Sequence, residues 1–290
     1  QEPQGEHEHR RHGWISSSRI CHAPRPMPRR RAPRVPLEDE ARALGLARDV
    51  LVAGTPDVRR LHGVVHTPSI IARDIVRRAD AELLRMGVRN GLAADDLVVV
   101  DPSCGPGVFL AAVVDHLASR SRVASRFVGL DIDADAIAQA RGLLGHVCDE
   151  RGIALSLHAE DTLAREPASL IGGAARVVVL GNPPWAARTP LRGQRATDAM
   201  LEAFRMDANG APLEERKIGV LSDAYVRFFR FCAEVIRVAP EGGVLALVTN
   251  GSYLDGPVHR GMRGALLRWL ERVSVVDLGG SALVAQTKGG

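Results

Sequence analysis

Leu97-Val98-Val99-Val100-Asp101-Pro102-Ser103-Cys104-Gly105-Pro106-Gly107-Val108-Phe109-Leu110 passes from a buried-type apolar strand, through a loop of small residues, into a helix expected through about Ala118. Strand, glycine loop and helix form the first half of a nucleotide-type βαβ unit, in which residues without bulky side chains let backbone approach a ligand closely. The spacing is neither the dinucleotide GxGxxG nor the GxxxxGK[ST] of a phosphate loop. An acidic residue at the strand end, Asp101, followed by Gly105-Pro106-Gly107, suits a ligand bearing an ammonium group better than a pyrophosphate.

Downstream the alternation continues. Arg126 to Leu130 reads as a second strand ending in Asp131, an acidic tip placed to accept both hydroxyls of a ribose. A helix from about Ala134 to Leu144 follows, then a short strand from Ala154 to His158 that leads to Asp161, within reach of an adenine amino group if the ribose sits on Asp131. The next run, Arg176-Val177-Val178-Val179-Leu180, stops at Gly181-Asn182-Pro183-Pro184-Trp185. Neither proline can donate to a sheet ladder and each fixes its own φ, so this is a buried strand ending in a rigid loop. Asn182 and the neighbouring carbonyls form a polar clamp beside the flat face of Trp185, suited to a planar group carrying an NH₂.

Residues 187 to 219 are arginine-rich and low in apolar pattern, and are expected to border a substrate cleft. Ala224, Phe228, Phe231, Cys232, Val235 and Ile236 mark an amphipathic helix over Asp223 to Val238. A fifth strand over Val244 to Thr249, a helix over Gly261 to Trp269 and a sixth strand over Val273 to Leu278 complete the pattern. The fold expected is α/β, a doubly wound, mostly parallel sheet with helices on both faces.

Upstream, Thr67-Pro68-Ser69 supplies a cap and an N1-type proline for a helix over Ser69 to Met86, whose N-terminus is a ready site for a carboxylate or phosphate. A further helix is expected over Leu37 to Ala53. Residues 1 to 36 hold eight arginines against three glutamates and few periodic apolar positions, so they read as a disordered basic tail; residues 37 to 290 form the folded domain. His7, His9 and His12, and the run Arg29-Arg30-Arg31, read as solvated tail.

The formal charge of +4 is therefore a tail property, since the remainder holds 30 basic and 31 acidic residues, and bulk charge does not announce a nucleic-acid surface. Cysteines 21, 104, 148 and 232 lack ligand spacing, which argues against zinc or a disulfide framework and fits a reducing compartment. No apolar run reaches membrane-spanning length and no signal-peptide pattern opens the chain, so a cytoplasmic location is expected.

In that order, Asp101-Pro102-Ser103-Cys104-Gly105-Pro106-Gly107, Asp131, Asp161 and Asn182-Pro183-Pro184-Trp185 resemble the class I S-adenosylmethionine-dependent methyltransferases that modify adenine N6 in DNA. His66-Thr67-Pro68 resembles the additional cofactor motif of their gamma arrangement. Leu221 to Phe228, Gly261-Met262-Arg263 and Asp277-Leu278-Gly279-Gly280 are similar to the methylase domain of large single-polypeptide restriction-modification enzymes. The resemblance covers about residues 60 to 280. It implies a Rossmann-like fold and S-adenosylmethionine as cofactor. Gly105 and Gly107 would pass its methionine moiety and Pro102 would stand in the same loop. Asp101 would take the ammonium, Thr67 the carboxylate, Asp131 the ribose and Asp161 the adenine.

Asn182, Pro183, Pro184 and Trp185 would receive a flipped adenine of DNA. Nuclease, motor or target-recognition domains of a parent polypeptide are the implied partners. Such enzymes carry a further hairpin strand and a target-recognition region not visible in this sequence, so the domain is expected to be C-terminally incomplete. Methylation of a protein glutamine amide or of RNA, and a non-catalytic fragment, stay open as alternatives.

Overall fold

The computed structural model describes residues 67–120, 123, 125–184, 199–207 and 209–276, which lie within one compact unit. The basic tail, the helix expected over Leu37 to Ala53, His66 and Trp185 lie outside the described residues. Among the described residues, β1 (Leu97–Asp101), β2 (Arg126–Asp131), β3 (Leu155–Ala159), β4 (Arg176–Gly181) and β5 (Gly243–Leu247) form one sheet in the order β3-β2-β1-β4-β5. All four pairings are parallel, with Val99 beside both Phe127 and Val178. Every residue of β1 is buried, and all of β4 after Arg176, as strands covered on both faces must be. That double cover is why these strands read as unbroken apolar runs.

One face packs under α1 (Ser69–Arg85), α2 (Val108–His116) and α3 (Ala134–Glu150), meeting Leu97, Val99, Phe127, Val178 and Leu180. The other packs under α4 (Pro167–Ile171) and α5 (Ala224–Val238), meeting Val98, Val100, Val128, Val177 and Val179. This is the doubly wound, Rossmann-like α/β fold. The chain runs outward from β1 to β3, then returns to β4 on the other side of β1. The helices change face at that return, which makes the carboxyl ends of β1 and β4 the topological switch point, the place where open α/β sheets bind ligands.

Three expectations are corrected. Helix α3 runs to Glu150 rather than Leu144, because Ile137, Ala140, Leu144 and Cys148 extend one buried stripe. Burying that stripe outweighs the roughly 1 kcal/mol that each of Gly142 and Gly145 costs a helix. Thr67 does not cap α1: the helix starts after Pro68, whose carbonyl accepts from Ile71 and Ala72, and no side chain caps it. The sixth strand is not formed over its described part, Val273 to Val276, whose three valines are about half exposed. A β-branched run makes a strand only with a ladder partner, and among the described residues the sheet ends at β5.

A third apolar cluster lies outside the sheet. Tyr225, Val226, Phe229 and Ala233 of α5 pack there with Leu201 and Phe204, and with Met262, Ala265 and Leu266 of α6 (Arg260–Trp269). The described part of the arginine-rich stretch, which begins at residue 199, is thus anchored by two fully buried side chains, Leu201 and Phe204. No helix among the described residues is long and apolar enough to cross a membrane.

Candidate active site

The carboxyl ends of β1, β2 and β4, and the turn after β3, bring the predicted residues to one edge. Asp101 closes β1 and is fully buried. Its Oδ1 accepts the Ser103 N–H at 3.2 Å, while Oδ2 is buried with no hydrogen-bond partner among the described residues. Burial pushes its carboxyl well above the usual carboxylate range, and the Asp131 charge adds to the rise. Across the switch point, a Cβ on Gly181 would lie 2.6 Å from Asp101 Oδ1, and the glycine has φ +154°. Only a residue without a side chain lets the ends of β1 and β4 meet here.

Asp131 organises the glycine loop. Its Oδ2 accepts the Gly105 N–H at 2.8 Å and its Oδ1 the Asp133 N–H at 3.0 Å. Each oxygen keeps a further lone pair for a ligand hydroxyl. Burial raises this carboxyl too, opposed by the Asp133 and Gly105 N–H groups. The two loop glycines differ. A Cβ on Gly107, at φ +92°, would lie 3.0 Å from Leu144 Cδ1 and 3.3 Å from Ala140 Cβ, so its bareness serves the packing of the loop on α3. A Cβ on Gly105 would meet nothing within 4 Å, so its bareness leaves open space.

The turn after β3 closes on the same loop. The Thr162 hydroxyl donates to the Pro102 carbonyl at 2.6 Å, and the Glu160 N–H to the Asp131 carbonyl at 2.8 Å. Asp161 Oδ1 accepts the Leu163 N–H at 3.0 Å, whereas Oδ2 is buried with no hydrogen-bond partner among the described residues, and burial raises this carboxyl. Cys104 points into the core against Gly129 and its thiol is pushed far up by burial, which removes it as a nucleophile.

Asn182 and Pro183 continue from β4, with Pro183 buried. Asn182 Nδ2 donates to Thr67 Oγ1 at 3.0 Å, across 115 residues of sequence. Thr67, read from sequence as a helix cap facing a carboxylate, is therefore also the neighbour that orients the asparagine amide. Sequence reasoning missed two further features. Ile132, directly after Asp131, is 68% exposed, an apolar platform at the strand tip; its position beside an acidic strand end was the available signal. The chain Ser252, Tyr225 and His259 had no local signal, because its members come from three separate elements.

No family model and no curated protein matches this chain. Solved structures do. The chain is similar to DrdV in the cryo-EM structure of its DNA complex, with 20% identity and TM-score 0.57 over 74% of this chain and 23% of that one. It is similar to the ATP-dependent Type ISP restriction-modification enzyme LlaBIII bound to DNA, with 18% identity and TM-score 0.54 over 71% of this chain and 16% of that one. A nuclease-deletion mutant of the Type ISP restriction-modification enzyme LlaGI, in complex with a DNA substrate mimic, matches with 17% identity and TM-score 0.56 over 80% of this chain and 27% of that one. The likeness is one of fold, and the chain spans only about a quarter or less of the length of these three chains.

Proposed function

We propose that this chain is the methyl-transferring domain of a DNA adenine-N6 methyltransferase that uses S-adenosylmethionine, the modification part of a restriction-modification enzyme. The observation that carries the reading is Asn182, tethered to Thr67 at the switch point and directly following Gly181, the residue that packs against the buried Asp101 carboxyl. The fold shared with DrdV in its DNA complex and with two Type ISP restriction-modification enzymes solved with DNA or a DNA substrate mimic supports DNA as the acceptor.

The residues fit the cofactor. Asp101 Oδ2 and Asp161 Oδ2 are buried acceptors awaiting donors, as an ammonium and an adenine amino group provide. Asp131 keeps lone pairs for ribose hydroxyls, Gly105 leaves room for the methionine moiety, and Ile132 offers the adenine ring a flat apolar contact. Bound S-adenosylmethionine supplies an electrophilic methyl group on a sulfonium.

The chain's own residues do the rest. The lone pair of an adenine amino group is delocalised into the ring, so it is a poor nucleophile. The Asn182 side-chain oxygen and the Pro183 carbonyl accept its two N–H bonds and draw the nitrogen towards sp³, exposing the lone pair to the methyl carbon. Thr67 holds the amide so that this acceptor is in place before substrate arrives, which is preorganised electrostatics and positioning. One N–H proton passes to water after transfer, and no strong base is required. The base must leave the duplex to reach this edge, and Trp185 is assigned the stacking face that receives it.

A planar amide offers the same NH₂ to the same clamp, which keeps glutamine side chains and RNA as comparison acceptors. The test is transfer of a labelled methyl group to adenine-containing DNA, RNA and protein acceptors, with wild type and Asn182→Ala. The expected outcome is transfer to DNA adenine that falls at least about a hundredfold in the variant while S-adenosylmethionine affinity stays within about twofold. Label appearing in protein or RNA instead reassigns the acceptor, and near-normal turnover by Asn182→Ala overturns the mechanism.

A further inference from the structure

Beyond β5 the chain leaves the sheet beside the proposed acceptor clamp. The Val248 N–H donates to the Gly181 carbonyl at 2.9 Å, so Thr249 and Asn250 emerge next to Asn182. A turn over Gly251–Tyr253 follows, in which Asn250 Oδ1 accepts the Ser252 N–H at 2.7 Å. Ser252 is exposed, yet its side chain is tied inward: the buried Tyr225 hydroxyl lies 3.0 Å from Ser252 Oγ and 2.7 Å from His259 Nε2.

The direction of this chain follows from its buried end. His259 is buried, and its Nδ1 has no hydrogen-bond partner among the described residues. A Cβ on Gly256 would lie 2.8 Å from Nδ1, so backbone is pressed against that side of the ring. Arg263 donates to the Tyr253 and Gly256 carbonyls at 2.7 and 2.8 Å, bringing a positive charge to the same side. Burial first, and Arg263 second, hold the imidazole below its ordinary value, so the ring is neutral at neutral pH. An unfilled buried lone pair costs less than a buried N–H without an acceptor, and a nearby cation favours the lone pair. The proton therefore sits on Nε2 and is donated to Tyr225. The Tyr225 hydroxyl then donates to Ser252, and the hydrogen of Ser252 is turned outward.

We propose that Ser252 is a substrate-positioning residue that donates this hydrogen to a phosphate oxygen of the DNA strand beside the target base, with Tyr225 and His259 setting the direction of the bond. The proposal rests on the reading of DNA as substrate. A phosphate oxygen is acceptor-only, and serine hydroxyls are among its regular partners in protein–DNA contacts. Asn182 and Pro183 would then hold the base, and Ser252 its backbone.

Two experiments test it. Nitrogen-15 NMR of the histidine-labelled full chain should report His259 as the Nε2–H tautomer with an unprotonated Nδ1; the opposite tautomer overturns the assigned direction. In methyl-transfer kinetics, Ser252→Ala should raise the DNA KM about tenfold, the loss of one hydrogen bond to a charged group, with S-adenosylmethionine affinity unchanged. Ser252→Thr, which keeps the hydroxyl, should restore it. Oligonucleotides with single neutral methylphosphonates near the target adenine should include one position that impairs wild type about tenfold and leaves Ser252→Ala unaffected. Additive effects at every position, or an unchanged KM in Ser252→Ala, overturn the proposal alone. A cofactor-binding wild type that methylates no DNA overturns the underlying reading, and this proposal with it.

Discussion

The two halves of the sheet's carboxyl edge are built differently. On the side of β1, β2 and β3, carboxylates are held by backbone N–H groups of nearby turns: Ser103 on Asp101, Gly105 and Asp133 on Asp131, Leu163 on Asp161. On the side of β4 and β5, side chains hold side chains over long sequence distances: Thr67 on Asn182, and Tyr225 on Ser252 and His259. The first half, the proposed cofactor receptor, is rigid and made from loop geometry. The second is an adjustable frame, where one substitution removes one contact and leaves the backbone standing.

The largest expected effect lies in the receptor half. Asp131→Ala removes two backbone anchors along with the proposed ribose acceptor, and S-adenosylmethionine affinity measured by calorimetry should fall about a hundredfold. An affinity within twofold of wild type would place the ribose elsewhere. In the frame half, Thr67→Val keeps the shape and deletes the hydroxyl at Asn182. The expected result is about a tenfold loss in kcat with cofactor affinity unchanged, and recovery in Thr67→Ser. Weakened cofactor binding in Thr67→Val, with kcat intact, would instead restrict Thr67 to the carboxylate and erase the contrast between the halves.

The glycine loop sharpens the comparison within one motif. Gly107→Ala drives a methyl group against Leu144 and Ala140, and urea unfolding should register about 1–3 kcal/mol of destabilisation. Gly105→Ala adds a group to open space at φ +50°, costing about 1 kcal/mol of strain, with its main effect on cofactor affinity.

The remaining expected effect is in pH dependence. Asp101 and Asp131 start from an ordinary value of 3.8 and are raised on folding, so the folded chain holds these protons more tightly than the unfolded chain. Their contribution to stability therefore declines as pH rises from 3.8 through the folded values. A cationic ligand prefers the carboxylate, so cofactor affinity should rise with pH across that window, at most about tenfold per pH unit, with proton release on binding. Calorimetry in buffers of different ionisation heat measures that release. A flat profile would remove the ammonium from Asp101.

The same contrast explains what the sequence disclosed. Asp101 to Gly107 and the apolar runs before them are contiguous, so the fold, and the gathering of Asp101, Asp131 and Asp161 at one sheet edge, were legible from spacing and strand ends. Thr67 was noticed but given a cap, because its true neighbour is 115 residues away. Tyr225, Ser252 and His259 looked like ordinary helix and turn residues, since their meeting depends on how α5, the turn after β5 and the start of α6 pack. Val273 to Val276 misled in the opposite sense: local β preference was present and a pairing neighbour, among the described residues, was not.

Helix α5 ties the two regions together in a further way. Twelve of its fifteen residues are buried, so it is wetted along almost none of its length. Phe228, Phe231 and Val235 belong to the sheet's core, and Tyr225, Phe229 and Ala233 to the outer cluster. Neither core can melt while the other stays intact without baring one side of this helix. The sheet and the outer cluster are thus a single cooperative foldon, and the amides of α5 should be among the last in the chain to exchange with deuterium.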